Sequence, residues 1–308
     1  MSGKEYYHPI PPSPESRLIQ FFMGLFGMKR AMEKKILRNG YSKVPAKLPK
    51  SIIKRCNVQV DEQNGRKIWT LSQKNIESDS VILYLHGGAN YANITNLHWD
   101  FVEQLIIRIN ATIVVPDYPL APEATCIDTY QFLDAVYAKI ISCYFSKKIM
   151  LMGDSAGGGL ALGFAMKIKN EDIKQPQQII LFSPWLDVSM DNPEIANYDK
   201  LDKMLSLNGL KIAGKKYAGN LSVTDFRVSP IYGDFNNLGE ISIFIGTNDM
   251  LIADARKCMK IMEVQKIDFN YFEYPKMFHD WVIVTNLNEA KDVLNKLKIY
   301  ILSQINKH

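Results

Sequence analysis

The sequence predicts an α/β protein built on a mostly parallel sheet of about eight strands, with helices on both faces. From residue 56 onward, short apolar runs alternate with helix-like segments, the pattern of strands joined by crossover helices. The hydrophobic content of 47% over 308 residues, without repeats or low-complexity segments, is enough for a large single core.

The candidate strands are CNVQV (56–60), KIWTL (67–71), SVILYL (80–85), ATIVV (111–115), KIMLM (148–152), QIILF (178–182), ISIFIG (241–246) and FNYFEY (269–274). The first two are close enough to pair antiparallel at one edge. Periodic segments from Trp99 to Ile109, Thr129 to Ile141 and Gly158 to Ile168 read as crossover helices. Val188 to Val228 breaks the alternation and carries no strong strand. The expected organisation is a core over 51–308, with residues 1–50 and an insertion at about 188–228 forming a helical lid over the strand ends, where open α/β sheets place ligands.

Charge and cysteines narrow the function classes. The net charge is +5, but Lys29 to Arg55 holds ten Lys and Arg against the single acid Glu33, so the remainder is slightly acidic and no nucleic-acid footprint follows. Just before this run, Leu18, Ile19, Phe22, Leu25 and Phe26 recur at helical spacing. That face suits either a helix packed over a substrate pocket or weak peripheral contact with a membrane. Cys56, Cys126, Cys143 and Cys258 form no C-x-x-C pair, which points to reduced thiols, no metal or redox site and a cytoplasmic location. The apolar stretch at 18–28 is too short to span a bilayer and lacks the layout of a secretory signal.

The chemistry concentrates around Gly153-Asp154-Ser155-Ala156-Gly157, which joins the strand KIMLM to a helix rich in small residues. This is a nucleophile elbow, in which tight glycine-flanked backbone holds a serine out above the sheet. A serine hydroxyl needs a histidine to take its proton. Of the five histidines, His8 lies in a proline-rich stretch, His308 is terminal, His98 begins a helix and His86 belongs to a glycine motif, leaving His279 after the last strand. The acid should lie between Ser155 and His279 in this arrangement. Asp249 follows the strand ISIFIG on a short turn, whereas Asp254 reads as a solvated helix residue. The loop HGG after SVILYL offers backbone donors at Gly87 and Gly88, joined by Ala156, for the negative oxygen of an acyl-transfer intermediate.

These residues sit among six segments in order: HGGAN (86–90), DYPLAPE (117–123), GDSAGG (154–159), SPWLD (183–187), GTNDML (246–251) and FHDW (278–281). The chain thereby resembles the hormone-sensitive lipase family of α/β-hydrolase esterases, in the bacterial branch that groups with arylacetamide deacetylases. The resemblance implies a carboxylic-ester hydrolase with nucleophile Ser155, acid Asp249, base His279, oxyanion donors Gly87, Gly88 and Ala156, a mobile lid, no cofactor or metal, and a preference for short- to medium-chain acyl esters. It also implies supporting roles for Asp117, Tyr118 and Glu123. The chain departs from the family at Ala89, where a third glycine is common, and at Pro119, where an arginine is common. Amide or formamide hydrolysis or deacetylation by the same triad is the alternative, followed by a non-catalytic small-molecule binding protein. The sequence leaves a homodimer open.

Overall fold

The computed structural model describes residues 3–305, so His308 and the end of the expected 51–308 core lie outside the described residues. The chain opens with strand β1 (Lys4–Tyr7) and helices α1 (Pro14–Leu25), α2 (Met28–Leu37) and α3 (Lys50–Arg55). Strands β2 (Cys56–Gln63), β3 (Arg66–Gln73) and β4 (Ser80–Leu85) follow, then α4 (Asn96–Ile109), β5 (Thr112–Pro116) and α5 (Cys126–Cys143). The second half runs β6 (Lys148–Asp154), α6 (Ser155–Asn170), β7 (Gln178–Phe182), α7 (Ile195–Asp199), α8 (Leu207–Ala218) and β8 (Glu240–Gly246). It closes with α9 (Ile252–Val264), β9 (Phe269–Tyr274) and α10 (Asn288–Ile305).

All strands join one nine-stranded sheet in the order β1-β9-β8-β7-β6-β4-β5-β3-β2. The eight expected strands are present, and β2 and β3 pair antiparallel at one edge. The ninth strand corrects the expectation that the sheet begins after residue 50: Lys4–Tyr7 pairs parallel with β9 at the opposite edge. Four residues that start with Lys and Glu are too short and too polar to show an alternation.

The central strands are buried on both faces, as parallel strands under helices must be. Val81, Leu83, Ile149, Leu151, Ile179 and Leu181 point into one apolar cluster shared with α5 and α6. Their neighbours Ile82, Tyr84, Met150, Met152, Ile180 and Phe182 point into a second cluster shared with α4 and α10. The chain moves from β4 to β5 on one side and then to β6 on the other, so the carboxyl ends of β4 and β6 flank a topological switch point. Ligands bind in such a crevice, and both the HGG loop and the elbow emerge there. Among the described residues no helix is long and apolar enough to cross a membrane.

Candidate active site

Ser155 follows β6 directly and holds φ at 51°, in the left-handed region. A non-glycine residue is strained there, and the surrounding packing keeps it in place. A Cβ on Gly153 would come within 2.3 Å of the Gly157 carbonyl oxygen, and one on Gly157 within 2.0 Å of the Leu85 carbonyl oxygen. Both flanks must therefore be glycine, and this close approach presses the elbow against the end of β4.

The turn after β8 carries Asp249, and the loop after β9 carries His279. The imidazole bridges the two other expected residues: Nδ1–H donates 2.8 Å to Asp249 Oδ2, and Nε2 lies 2.9 Å from Ser155 Oγ. Asp249 is further fixed by accepting the Leu251 N–H at 2.9 Å. All three side chains are buried. Asp254, expected to be solvated, is instead buried on α9 and bonded to Asn192 Nδ2 at 2.8 Å; burial pushes its carboxyl up to about 6.

Two further carboxylates meet this group. Asp280 Oδ2 lies 3.1 Å from His279 Nε2, the same nitrogen that faces the serine. Asp280 reaches it because its own φ is 57°, which turns the side chain back toward the base. Burial disfavours the imidazolium, but Asp280 and then Asp249 outweigh it and hold the His279 pKa well above the ordinary histidine value. Asp202, from the inserted segment, accepts the N–H groups of Met204 and Leu205 at 2.8 Å and of Met250 at 3.0 Å. It thus ties that segment to the turn bearing Asp249; burial and then the Asp249 charge push its carboxyl up to about 6.

The oxyanion loop requires one correction. The Gly87 N–H, expected to be a free donor, is committed to Asp154 Oδ2 at 2.9 Å. The Asp154 carboxylate also accepts from Tyr84 Oη and from His98 Nε2–H, whose Nδ1 in turn accepts the Thr95 N–H at 3.0 Å. Gly88 and Ala89 face the cleft beside Ser155, and their N–H groups make no hydrogen bond among the described residues. Ala156, in the first turn of α6, has no intrahelical acceptor for its N–H. Ala89 sits at φ 55°, a conformation glycine adopts at less cost, which explains a glycine preference at this position.

Beneath the loop, Tyr118 donates to the His86 carbonyl at 2.5 Å and stacks on its ring at 4.4 Å. The Ala121 N–H bonds the Asn90 carbonyl at 2.8 Å, and Asp117 accepts from Asn93 at 2.7 Å. Glu123 accepts from Asn39 at 2.7 Å. DYPLAPE is therefore a bracket for the loop and for the chain leading to it. His86 is wholly buried, and burial pulls its pKa down to about 4, so it stays neutral and donates Nδ1–H to the Gly87 carbonyl.

The cleft above Ser155 holds about 290 Å³ and is mostly apolar. Met28, Ala31, Met32 and Lys35 of α2 form one wall, Met204, Leu205 and Leu210 of the insertion another, and Ala89, Leu97 and Ile283 the remainder. Among the described residues no three His, Cys, Asp or Glu side chains converge as metal ligands would.

Residues 82–283 match the sequence pattern of a protein family described as having the alpha/beta hydrolase fold. The chain belongs to this family. It is a hydrolase of the hormone-sensitive-lipase type, in keeping with its six sequence segments. It is 28% identical to an esterase of Acinetobacter venetianus over 217 residues, 70% of this chain and 72% of that protein. It is also 28% identical to a triacylglycerol lipase of Mycobacterium tuberculosis over 229 residues, 74% of this chain and 48% of the lipase. In three dimensions it is similar to a hormone-sensitive lipase from a metagenome library, with a TM-score of 0.81, covering 96% of this chain and 100% of that one at 21% identity.

Proposed function

We propose that this chain hydrolyses carboxylic esters through an acyl-enzyme intermediate on Ser155. The observation that carries the reading is the His279 imidazole set between Ser155 Oγ and the Asp249 carboxylate at the floor of an apolar cleft. His279 takes the hydroxyl proton as Ser155 Oγ attacks the ester carbonyl, and Asp249 holds the ring in the required tautomer. The N–H groups of Gly88, Ala89 and Ala156 receive the oxyanion; such a donor contributes about 3–4 kcal/mol of transition-state stabilisation. The tetrahedral intermediate collapses, the C–O bond to the alcohol breaks, and His279 returns the proton to the leaving oxygen. Water, deprotonated by His279, then releases the acid and restores Ser155.

A cleft of about 290 Å³ stands at the small end of ligand sites and suits short- to medium-chain acyl groups. Residues from 1–50 and from the 188–228 insertion form its roof, and their movement as a lid would admit substrate. The relatives named esterase and lipase support the ester reading.

Pre-steady-state hydrolysis of p-nitrophenyl acetate, butyrate and octanoate, with a matched anilide, tests the proposal. A burst equal to the enzyme concentration is expected, with highest kcat/KM at butyrate or octanoate. Ser155→Ala should lose about 10⁴-fold or more in kcat, and the anilide should turn over at least about 100-fold more slowly than its ester. Undiminished turnover by Ser155→Ala would overturn the mechanism, and faster anilide cleavage would make the enzyme an amidase.

A further inference from the structure

Helix α1 is mounted with its more apolar face outward. Its inner face carries Ser16, Ile19, Gln20 and Met23. Ser16 Oγ donates to Glu289 at 2.9 Å, Gln20 Nε2 donates to the Lys276 carbonyl at 2.9 Å, and Asn248 donates to Gln20 Oε1 at 2.8 Å. Ile19 and Met23 pack on the cluster beneath. The outward face is Leu18, Phe21, Phe22 and Leu25, continued by Phe26; their exposures run from 42% at Phe22 to 74% at Phe26. Large neighbouring side chains left in water at these levels mark an interaction surface.

A groove beside this helix is lined by Phe21, Met23 and Leu25, by the cations Lys29, Arg30, Lys200 and Lys203, and by the acids Asp199 and Asp202. Lys29 is paired with Asp199 at 2.6 Å, and Asp202 is spent on backbone N–H groups. Arg30, Lys200 and Lys203 have no acidic partner among the described residues. The one acid of the helix, Glu15, stands in its first turn, away from this end. An apolar face rimmed by cations complements a bilayer interface that contains anionic headgroups. A second copy of the chain would set the same cationic rim against itself.

We propose that α1 docks this protein on anionic lipid bilayers, with Phe21, Phe22, Leu25 and Phe26 entering the acyl boundary and Arg30, Lys200 and Lys203 meeting the headgroups. Met28, two residues beyond Phe26, is exposed and also lines the cleft above Ser155, so docking sets the cleft mouth beside the membrane. Together with the ester-hydrolase reading, this makes membrane-held esters of short- to medium-chain acids the substrate class, and that extension rests on the reading above.

The test is flotation of the full chain with vesicles of phosphatidylcholine containing about 30 mol% phosphatidylglycerol, at about 50 mM salt, where surface charge is weakly screened. Binding is read without turnover, so its failure is separate from failure of the hydrolase reading. The parent should float, and the Phe21→Ser/Leu25→Ser double variant should bind at least about tenfold more weakly. Lys203→Glu should weaken binding and flatten its salt dependence. Both variants should keep the parent thermal midpoint and p-nitrophenyl acetate hydrolysis. No flotation of the parent, or flotation unaffected by the double substitution, would overturn the proposal. Self-association in solution that the double substitution abolishes would assign the face to a second copy instead.

Discussion

Asp280 gives His279 a carboxylate on the side where it faces the serine, in addition to Asp249 on the other nitrogen. A negative charge 3.1 Å from Nε2 favours the imidazolium, whereas attack by Ser155 requires the neutral ring. The acid limb of kcat/KM should therefore lie above the ordinary histidine value, because His279 is held protonated there. Asp280→Asn should move this limb to lower pH. In pH profiles, the variant's activity at pH 6 relative to its own plateau should exceed the parent's by about two- to tenfold, with plateaus within about twofold. Identical profiles would show that the carboxylate does not tune the base. The order of Ser155, Asp249 and His279 along the chain was readable because elbow and turn occupy fixed places after strands. Asp280 was not, because only its positive φ aims a side chain adjacent in sequence back at the imidazole. Gly87 was misread for a related reason: a glycine in the right loop says nothing about which acceptor its N–H meets.

The elbow and the oxyanion loop are two elements joined by one buried carboxylate. Asp154 ends β6 and gathers the Gly87 N–H, Tyr84 Oη and His98 Nε2–H from the neighbouring strand, loop and helix. Asp154→Ala strands these donors in a buried site, where each unsatisfied group costs about 1–3 kcal/mol, so urea unfolding should show a loss of about 3 kcal/mol or more. Burial raises the Asp154 carboxyl pKa, but His98 and Tyr84 together pull it below the ordinary carboxylate value. A lowered folded-state value means stability present above the unfolded value and lost as pH falls through the folded one. The gap between parent and variant should thus narrow below about pH 4, and it should also narrow on the alkaline side as pH rises through the folded value of His98, which the Asp154 carboxylate holds above the ordinary histidine value. The sequence showed Asp154 only as the variable position of G-x-S-x-G, since its partners come from segments 56 to 70 residues away. Helix α1 was legible as amphipathic, but not its orientation, which is set by Glu289, Lys276 and Asn248 from the far end of the chain.

Across the whole molecule, alternation of apolar runs and helices was enough to foresee a covered parallel sheet, because strands buried on both faces leave few other sequence patterns. Residues 1–50 and the insertion at about 188–228 were expected over the strand ends only as whole segments; which side chains of α2 and of Met204 to Leu210 meet above Ser155 was not legible, because no local periodicity encodes their pairing. Sheet, elbow and roof together place one serine hydroxyl within reach of one buried imidazole, and the account stands on that serine being the nucleophile. Covalent trapping tests it most directly: diethyl p-nitrophenyl phosphate is added to the parent, Ser155→Ala and His279→Ala proteins, followed by intact mass and peptide mapping. The expected result is one diethylphosphoryl group per parent chain on Ser155, none on Ser155→Ala, and labelling slowed at least about 10³-fold in His279→Ala. A folded parent that takes up no phosphoryl group, or carries it on another residue while still turning over esters, would contradict the account.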